Sequence, residues 1–378
     1  MSNSVKKHPV ALSIGLMVGN EENSIRAALE SLFRQTVFER LCARHAQCEI
    51  VVVAHACNDR TVAMVRKLFN QMERSHPWSN AFTARVADIP EPGKANAWNR
   101  FVHEFSAVEA RYLMTMDGHI AFHHRDAIYN LMATLERRPH MAASTGRRCP
   151  DLIFKERKTL QERISLAASF LVDCGERRLC GQLYCLRASV ARNLYVPRDL
   201  GPTEAGFVAE MVCTEFLGRV ADARRIAVAT DAAHIFEAPN EPRAVMTEFQ
   251  REMMGQAAVH VLIEHLKAMS GLERRNLVAT LRQKDADDPD WLKRLLAVHL
   301  RKKPFFWQIF PGILTAGFRR LLREPHFDKV THFPAACAGF LTTVIACARA
   351  AQTMRRRMTQ YWAKAGPAVV LTASPSPK

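Results

Sequence analysis

An aspartate and a histidine one residue apart, closing a short apolar run, are the residues in this sequence best placed to do chemistry. The run Tyr112-Leu-Met-Thr-Met116 leads straight into Asp117-Gly118-His119. It reads as a buried strand, and alternate residues at a strand end point the same way, so Asp117 and His119 can grip one divalent cation together. A buried strand ending in a polar turn is the plainer reading of the same residues. Further candidates lie along the chain: Asn20-Glu21-Glu22, Asp59, Gly93-Lys94, Thr203-Glu204 and His234.

Elements that could position these residues alternate through the first half. Ala11–Val18 is expected as a strand, and Ile25, Leu29, Leu32 and Phe33 mark one face of the helix after it. Glu49–Ala54 reads as a second strand, followed by a helix bearing Val65, Leu68, Phe69 and Met72. A weaker strand at Phe82–Val86 leads into the Pro90-Glu-Pro-Gly-Lys94 loop and a helix from Ala95 to Phe105. After the Tyr112–Met116 strand comes a helix from Asp126 to Arg137. Such alternation predicts an α/β fold with a mostly parallel sheet and helices on both faces. Ligands in such sheets bind beyond the carboxyl ends of the strands, where Asp59 and Asp117 fall. From about residue 150 the rhythm breaks. A helix from Phe154 to Val172, a strand at Cys180–Arg187, a helix near Gly206 and a strand at Ile226–Thr230 are expected there. The tail from Gly366 has the composition of a disordered segment.

The chain has 378 residues and a net charge of +16. Much of the excess falls between Lys293 and Arg357, where Phe305, Phe306, Trp307, Phe310 and Phe318 are interleaved with lysine and arginine. That mixture suits an anionic membrane surface or nucleic acid. No nucleic-acid reading motif accompanies it, so the membrane surface is preferred. Trp291–Leu296 and Phe305–Phe310 are expected to bury apolar edges there. Phe333–Ala348 is uncharged but, at about 16 residues, falls short of the ~20 that span a bilayer. The apolar run after Lys6-Lys7 lacks a small-residue cleavage site and is read as the first strand rather than a secretory signal. The ten cysteines form no Cys-x-x-Cys pair, which points to reduced thiols in the cytoplasm.

Taken in order, the motifs resemble glycosyltransferase family 2, the inverting nucleotide-sugar transferases of GT-A fold. Ser13-Ile-Gly-Leu-Met-Val-Gly-Asn20-Glu21-Glu22 is similar to the family's opening strand and Asn-Glu turn. Ile50-Val-Val-Val-Ala-His-Ala-Cys-Asn-Asp59-Arg-Thr61 resembles its nucleotide-base loop, and Gly93-Lys94-Ala95-Asn96-Ala97 its segment near ribose and phosphate. Asp117-Gly118-His119 stands where the family has Asp-x-Asp. Gly181-Gln-Leu-Tyr-Cys-Leu-Arg187 and Thr203-Glu204-Ala205-Gly206-Phe207 fit its acceptor strand and the start of its catalytic helix. The likeness runs from about Ala11 to Gln256.

The resemblance implies a nucleoside-diphosphate sugar donor, probed by Asn20, Glu21, Asp59, Lys94, Asn96 and Asp117. It also implies a divalent cation, Mn²⁺ or Mg²⁺, held by Asp117, His119 and His234. A leaving diphosphate needs its charge neutralised, and a hard cation or a lysine does this. Two departures stand out. Ala54 and His55 occupy the place of the acidic residue that contacts the base. Ala205 replaces the second carboxylate of the family's acidic pair, which removes the acceptor proton. Glu204 or Glu210 is left as the candidate base; a degenerate, non-catalytic protein that binds nucleotide or a partner is the alternative. Gln250-Arg-Glu-Met-Met lacks the Gln-x-x-Arg-Trp motif of processive synthases, so transfer of one sugar to a saccharide or lipid-linked acceptor is expected, at the inner face of the cell membrane. The expected division is a GT-A domain over 1–260 (donor half to about 148, acceptor half from 149), a basic helical region over 261–362, and a tail over 363–378.

Overall fold

Residues Val10–Val18 are almost all buried and form strand β1, at the middle of a seven-stranded sheet. A near-continuous apolar run is what a strand covered on both faces requires. The computed structural model describes residues 8–159, 161–163, 166, 179–238, 241–302 and 326–356. Strands β2 (Gln47–His55), β3 (Phe82–Ile89) and β4 (Tyr112–Asp117) lie parallel to β1 in the order β3-β2-β1-β4. Two-residue β5 (Ala121–Phe122) follows, then β6 (Ala143–Thr145), β7 (Arg148–Pro150), β8 (Leu183–Arg187), β9 (Ile226–Val228) and β10 (His234–Phe236). β8 runs antiparallel to both β4 and β6, and β9 closes the sheet beside β6. A small second sheet pairs β10 with β5 and β7.

Side chains alternate across the sheet as a two-residue period demands. Ile14, Leu16, Ile50 and Val52 enter one core, while Met17, Val51 and Val53 enter the other. The first core is closed by helices α1 (Ile25–Phe33), α2 (Val37–Ala43) and α3 (Thr61–Ser75). Helix α4 (Lys94–Arg100) serves the second core and α5 (Ala127–Arg137) the first. α6 (Ala188–Ala191), α7 (Glu204–Cys213) and α8 (Pro242–Ala268) complete the second.

The connectivity sets the position of the site. The chain walks outward from β1 to β2 and β3, then crosses back to lay β4 on the other side of β1. The carboxyl ends of β1 and β4 therefore diverge into loops on opposite sides, which opens a crevice at that switch point. Met17 is in register with Asp117, so the turns Gly19–Glu22 and Gly118–His119 face each other across it.

Several expectations change. β3 runs on to Ile89, and the helix expected from Ala95 to Phe105 is α-helical only to Arg100 before a π turn over Phe101–Phe105. Asp151–Phe154 is a short 3₁₀ turn, residues 155–159 are not helical, and nearly half of the helix expected from Phe154 to Val172 lies outside the described residues. The boundary expected at 260 falls inside α8, one unbroken helix.

The membrane-facing role expected for Trp291–Leu296 is corrected. After α9 (Gly271–Arg275) and α10 (Leu277–Asp287), helix α11 (Trp291–Lys302) turns Leu292, Leu296 and Leu300 into the second core. Trp291 donates its indole N–H to Asp285 Oδ1 at 2.6 Å, and the other oxygen of that buried carboxylate accepts from Tyr195 and from the Arg198 N–H. An amphipathic helix has one apolar face, and here the protein itself covers it. The last described helix, α12 (His326–Arg356), buries Ala346, Cys347, Ala350, Ala351 and Met354. Phe305, Phe306, Trp307, Phe310, Phe318 and the tail lie outside the described residues. Among the described residues no helix is long and apolar enough to cross a membrane, and the described cysteines are free thiols.

Leu296 thus supports the core rather than a lipid contact. Leu296→Ala is expected to lower unfolding stability by about 2–5 kcal/mol, as truncation of a fully buried leucine does. Urea unfolding followed by fluorescence checks this; a change under 0.5 kcal/mol would mean that α11 is loosely docked.

Candidate active site

Lys94 opens α4 directly after Gly93, whose φ of 113° is open to glycine and strained for other residues. One turn on, Trp98 is fully buried and donates its indole N–H to the Tyr184 hydroxyl on β8 at 2.8 Å. Residues four apart share a helix face, so this bond aims Lys94 back over the sheet. Its ammonium meets Asp117 Oδ1 at 2.6 Å, Glu204 Oε1 at 3.0 Å and the Gly181 carbonyl at 2.9 Å. The ammonium thus donates to the carbonyl and pairs with both carboxylates.

Glu204 is the first residue of α7 and is wholly inaccessible to solvent. Burial pushes its carboxyl up, against the pull of Lys94, to about 7. Neither oxygen has a hydrogen-bond partner, and Oε1 meets Lys94 as an ion pair. Lys94 is also raised: burial opposes its charge, but the paired carboxylates of Asp117 and Glu204 outweigh that. The ammonium keeps the carboxylates from repelling each other across one buried space.

A second set of groups continues from Asp117. His119 Nε2 lies 3.8 Å from Asp117 Oδ2, and its Nδ1 lies 3.4 Å from Glu21 Oε1 across the β1–β4 crevice. Burial pulls His119 down, yet the bond to Glu21 and the charge of Asp117 leave it above its ordinary value. Glu21 is raised by burial, only partly offset by His119, and its Oε2 is another buried oxygen without a partner. A side chain on Gly118 would collide with that carboxylate. On the far side of His119, the Gln182 amide nitrogen approaches Nε2 at 3.4 Å, and Gln182 Oε1 lies 3.3 Å from His234 Nε2.

The candidates thus separate into two groups. Glu21, Lys94, Asp117, His119 and Glu204 come together. His234 comes near but stands behind Gln182. It sits fully buried on β10, its Nε2 facing Gln182 and the Cys180 thiol at 3.5 Å, and burial depresses it to about 3. Among the described residues no three His, Cys, Asp or Glu side chains converge to hold a metal unaided. Glu210 lies six residues beyond Glu204 on α7, about 120° around the helix, and is not brought into the cluster. Lys94, expected near a phosphate, meets the two carboxylates and the Gly181 carbonyl.

Three other candidates brace loops. Asp59 accepts from the Thr61 N–H at 3.0 Å and from the Glu22 N–H at 3.1 Å. Burial raises it, but these bonds together hold it below the usual carboxylate range. Asn20, at φ 56°, accepts from the Asn58 N–H at 2.8 Å and so staples the β1 turn to the β2 loop. Asn96 donates to the Glu91 carbonyl at 3.5 Å. His55 accepts from the Gly93 N–H, linking the β2 loop to the lysine loop; burial and the Lys94 charge depress it, which favours the neutral ring. Residues that sequence reasoning left without a role are Gln182, Arg148, Trp98 and Tyr184. Gln182 stood inside a quoted motif, but only the folded contacts show what its amide touches.

Residues 13–187 match the model of the family described as Glycosyl transferase family 2. A search of curated proteins found no match. Among solved structures, S. aureus TarS (1–349) is similar at 14% identity and a TM-score of 0.44, with 92% of each chain covered. Its complex with UDP gives 15%, 0.44 and the same coverage. Glucosyl-3-phosphoglycerate synthase from Mycobacterium tuberculosis, in complex with Mn²⁺, UDP-glucose and phosphoglyceric acid, gives 15% identity and a TM-score of 0.41, covering 62% of this chain and 74% of that one.

If Lys94 is an internal counter-ion, its loss strands two buried carboxylates. Lys94→Met is expected to cost about 3–5 kcal/mol at pH 8. The loss should shrink below pH 6, because Glu204, already titrating near 7, then takes up a proton and needs no partner. Urea unfolding at the two pH values reads this directly. A lysine waiting for a phosphate would show almost no stability change at either.

Proposed function

Because residues 13–187 belong to glycosyl transferase family 2, we propose that this chain moves one sugar from a nucleoside-diphosphate donor to a hydroxyl acceptor, with inversion. The reading is carried by one observation: a fully buried glutamate, Glu204, held by Lys94 beside Asp117 at the carboxyl end of a parallel strand. A general base works best when its pKa is near the operating pH, and Glu204 is pushed up to about 7.

In this mechanism the donor lies in the crevice beyond β1 and β4, with its base toward the His55–Thr61 loop and its diphosphate toward Asp117. The acceptor enters past Gly181 and Gln182. Glu204 takes the proton from the acceptor hydroxyl as that oxygen bonds to the anomeric carbon. The bond from that carbon to the phosphate oxygen breaks, and the nucleoside diphosphate leaves with the electron pair. Lys94 keeps Glu204 ionised until the proton arrives and holds it in place.

Three carboxylates against one lysine, and the orphaned oxygen of Glu21, make a site with negative charge to spare. That surplus fits a divalent cation, Mn²⁺ or Mg²⁺, which Asp117 and His119 would hold. When bound, it neutralises the departing diphosphate. Such ions commonly take one or two protein ligands and complete their shell with substrate phosphates and water, so His234 is not required.

The donor is proposed to be UDP-linked and the acceptor a saccharide or lipid-linked glycan, with residues to about 148 serving the donor and 149–260 the acceptor. Attachment to an anionic membrane surface rests on the basic and aromatic composition between Lys302 and Arg323, joined by the exposed Leu341 and Ile345 on α12. One observation favours the non-catalytic alternative: Glu204 has no exposure, so an acceptor reaches it only if neighbouring side chains yield.

Calorimetric titration with UDP and GDP, with and without Mn²⁺, tests the donor site. One nucleotide is expected to bind, with binding lost in Asp117→Ala. Glu204→Gln should then lower kcat about 10²–10⁴-fold with donor affinity retained. For the unaltered protein kcat/KM should rise with pH and level off above about 7, since the carboxylate is the active form. Nucleotide binding with no transfer to any glycan acceptor would support the non-catalytic alternative. Flotation with anionic vesicles tests attachment; protein left at the bottom of the gradient would exclude it.

A further inference from the structure

Arg148 on β7 can only donate hydrogen bonds, and this fixes the protons of a chain of groups that ends at Glu21. Its guanidinium lies over the Phe236 ring, 4.3 Å from the centroid, and its Nε donates to Gln182 Oε1 at 3.1 Å. The Gln182 oxygen is therefore the acceptor on that side, and His234 Nε2, 3.3 Å from the same oxygen, must carry a proton. With its oxygen so placed, the Gln182 amide turns its N–H groups toward His119 Nε2 at 3.4 Å. In the neutral ring that nitrogen is the acceptor, since Asp117 Oδ2, 3.8 Å away, is beyond hydrogen-bond distance. The proton of a neutral His119 then sits on Nδ1, where it is donated to Glu21 Oε1 at 3.4 Å. Each assignment follows from the one before, starting from a group that has no acceptor.

We propose that Glu21 is a positioning residue that holds His119 in the Nδ1-protonated form, so that its Nε2 lone pair lies beside Asp117 as a cation ligand, a cation taking the place of the Gln182 N–H on that lone pair. The pair Glu21–His119 thereby takes the place of a second aspartate. The inference rests on the cation reading given above for Asp117 and His119. Ligating histidines almost always give their second ring N–H to a carboxylate or carbonyl, which fixes tautomer and ring orientation and raises ligand basicity. Glu21 supplies that carboxylate from the opposite wall of the crevice. Its own backbone N–H is held by the Thr61 hydroxyl at 2.8 Å, and its carboxylate occupies the space that a side chain on Gly118 would need. Gly118 is thus part of the device: the residue between the two ligands must be small for the carboxylate to pass beneath.

Two measurements on the full chain test this. Nitrogen-15 shifts of histidine-labelled apo protein read the His119 tautomer with no metal present, with His119→Gln providing the assignment. The Nδ1-protonated form is expected; a predominantly Nε2-protonated neutral ring would overturn the proposal. Mn²⁺ titration in the presence of UDP, followed by the paramagnetic resonance of free Mn²⁺, reads the ligand role. Glu21→Ala should weaken Mn²⁺ binding about 10–100-fold. Glu21→Gln, which keeps an acceptor but loses the charge, should fall between. Gly118→Ala should behave like Glu21→Ala, and the near-isosteric glutamine variant remains informative should the alanine variants fold poorly. Mn²⁺ affinity unchanged in both Glu21 variants would overturn the proposal while leaving the donor site intact. A wild-type chain that binds UDP but no Mn²⁺ overturns it together with the cation reading, and one that binds no nucleotide sinks the glycosyltransferase reading itself.

Discussion

The ammonium of Lys94 ties three separate parts of the chain at one point: Asp117 at the end of β4, Glu204 at the start of α7, and the Gly181 carbonyl ahead of β8. β4 is the last of four adjacent parallel strands and β8, beside it, is the strand of this sheet that runs the other way, so the bond spans the point where the strand direction reverses. A carboxylate as enclosed as Glu204 is tolerated because a cation sits on it; without one, the cost of removing a charge from water would force it neutral. The rest of the site is arranged around that balance. Trp98 and Tyr184 hold the lysine-bearing helix against β8, and Gly93 turns the chain so that Lys94 begins the helix at the right place.

From Asp117 the same logic extends outward. The lysine engages one oxygen of Asp117, and the other faces His119, whose far side is held by Glu21. The result is a graded line of charge, from a fully buried ion pair to a half-exposed imidazole at the crevice. Loops that line the crevice are braced by Asn20 and Asp59, which bond backbone rather than ligand. Such bracing matters for a site built on turns, because turns have few ladder hydrogen bonds of their own.

The helices after residue 240 extend the core that supports α7 and α4. Leu262, Leu281, Leu292 and Leu296 share one cluster with Phe207 and Tyr184. Asp285, buried and hydrogen-bonded through both oxygens, joins α10 and α11 to the segment at Tyr195 and Arg198 ahead of α7. The apolar face of Trp291–Leu296 was readable as a face, but its partner was not. An amphipathic stripe has the same spacing whether lipid or protein covers it.

The alternation of strands and helices, and the position of Asp117 at a strand end, were legible because side-chain period and apolar run length are local properties. So was the order of motifs, from Asn20 through Lys94 to Asp117, within the residues that match the family model. The partner of each polar group was not legible. In the folded chain Lys94 meets two carboxylates, Asp59 accepts from the Thr61 and Glu22 N–H groups, and His234 stands behind Gln182. Glu210 was admitted as a base although six residues along a helix is the wrong face. A polar side chain's partner depends on which distant segments the sheet order brings together, and here β1, β4, β8 and β10 meet only in the folded chain. The sequence by itself determined which residues could carry charge at the strand ends. Tertiary structure alone decided how those charges are paired, because pairing in a dry interior is governed by distances of a few ångströms between residues up to roughly a hundred positions apart.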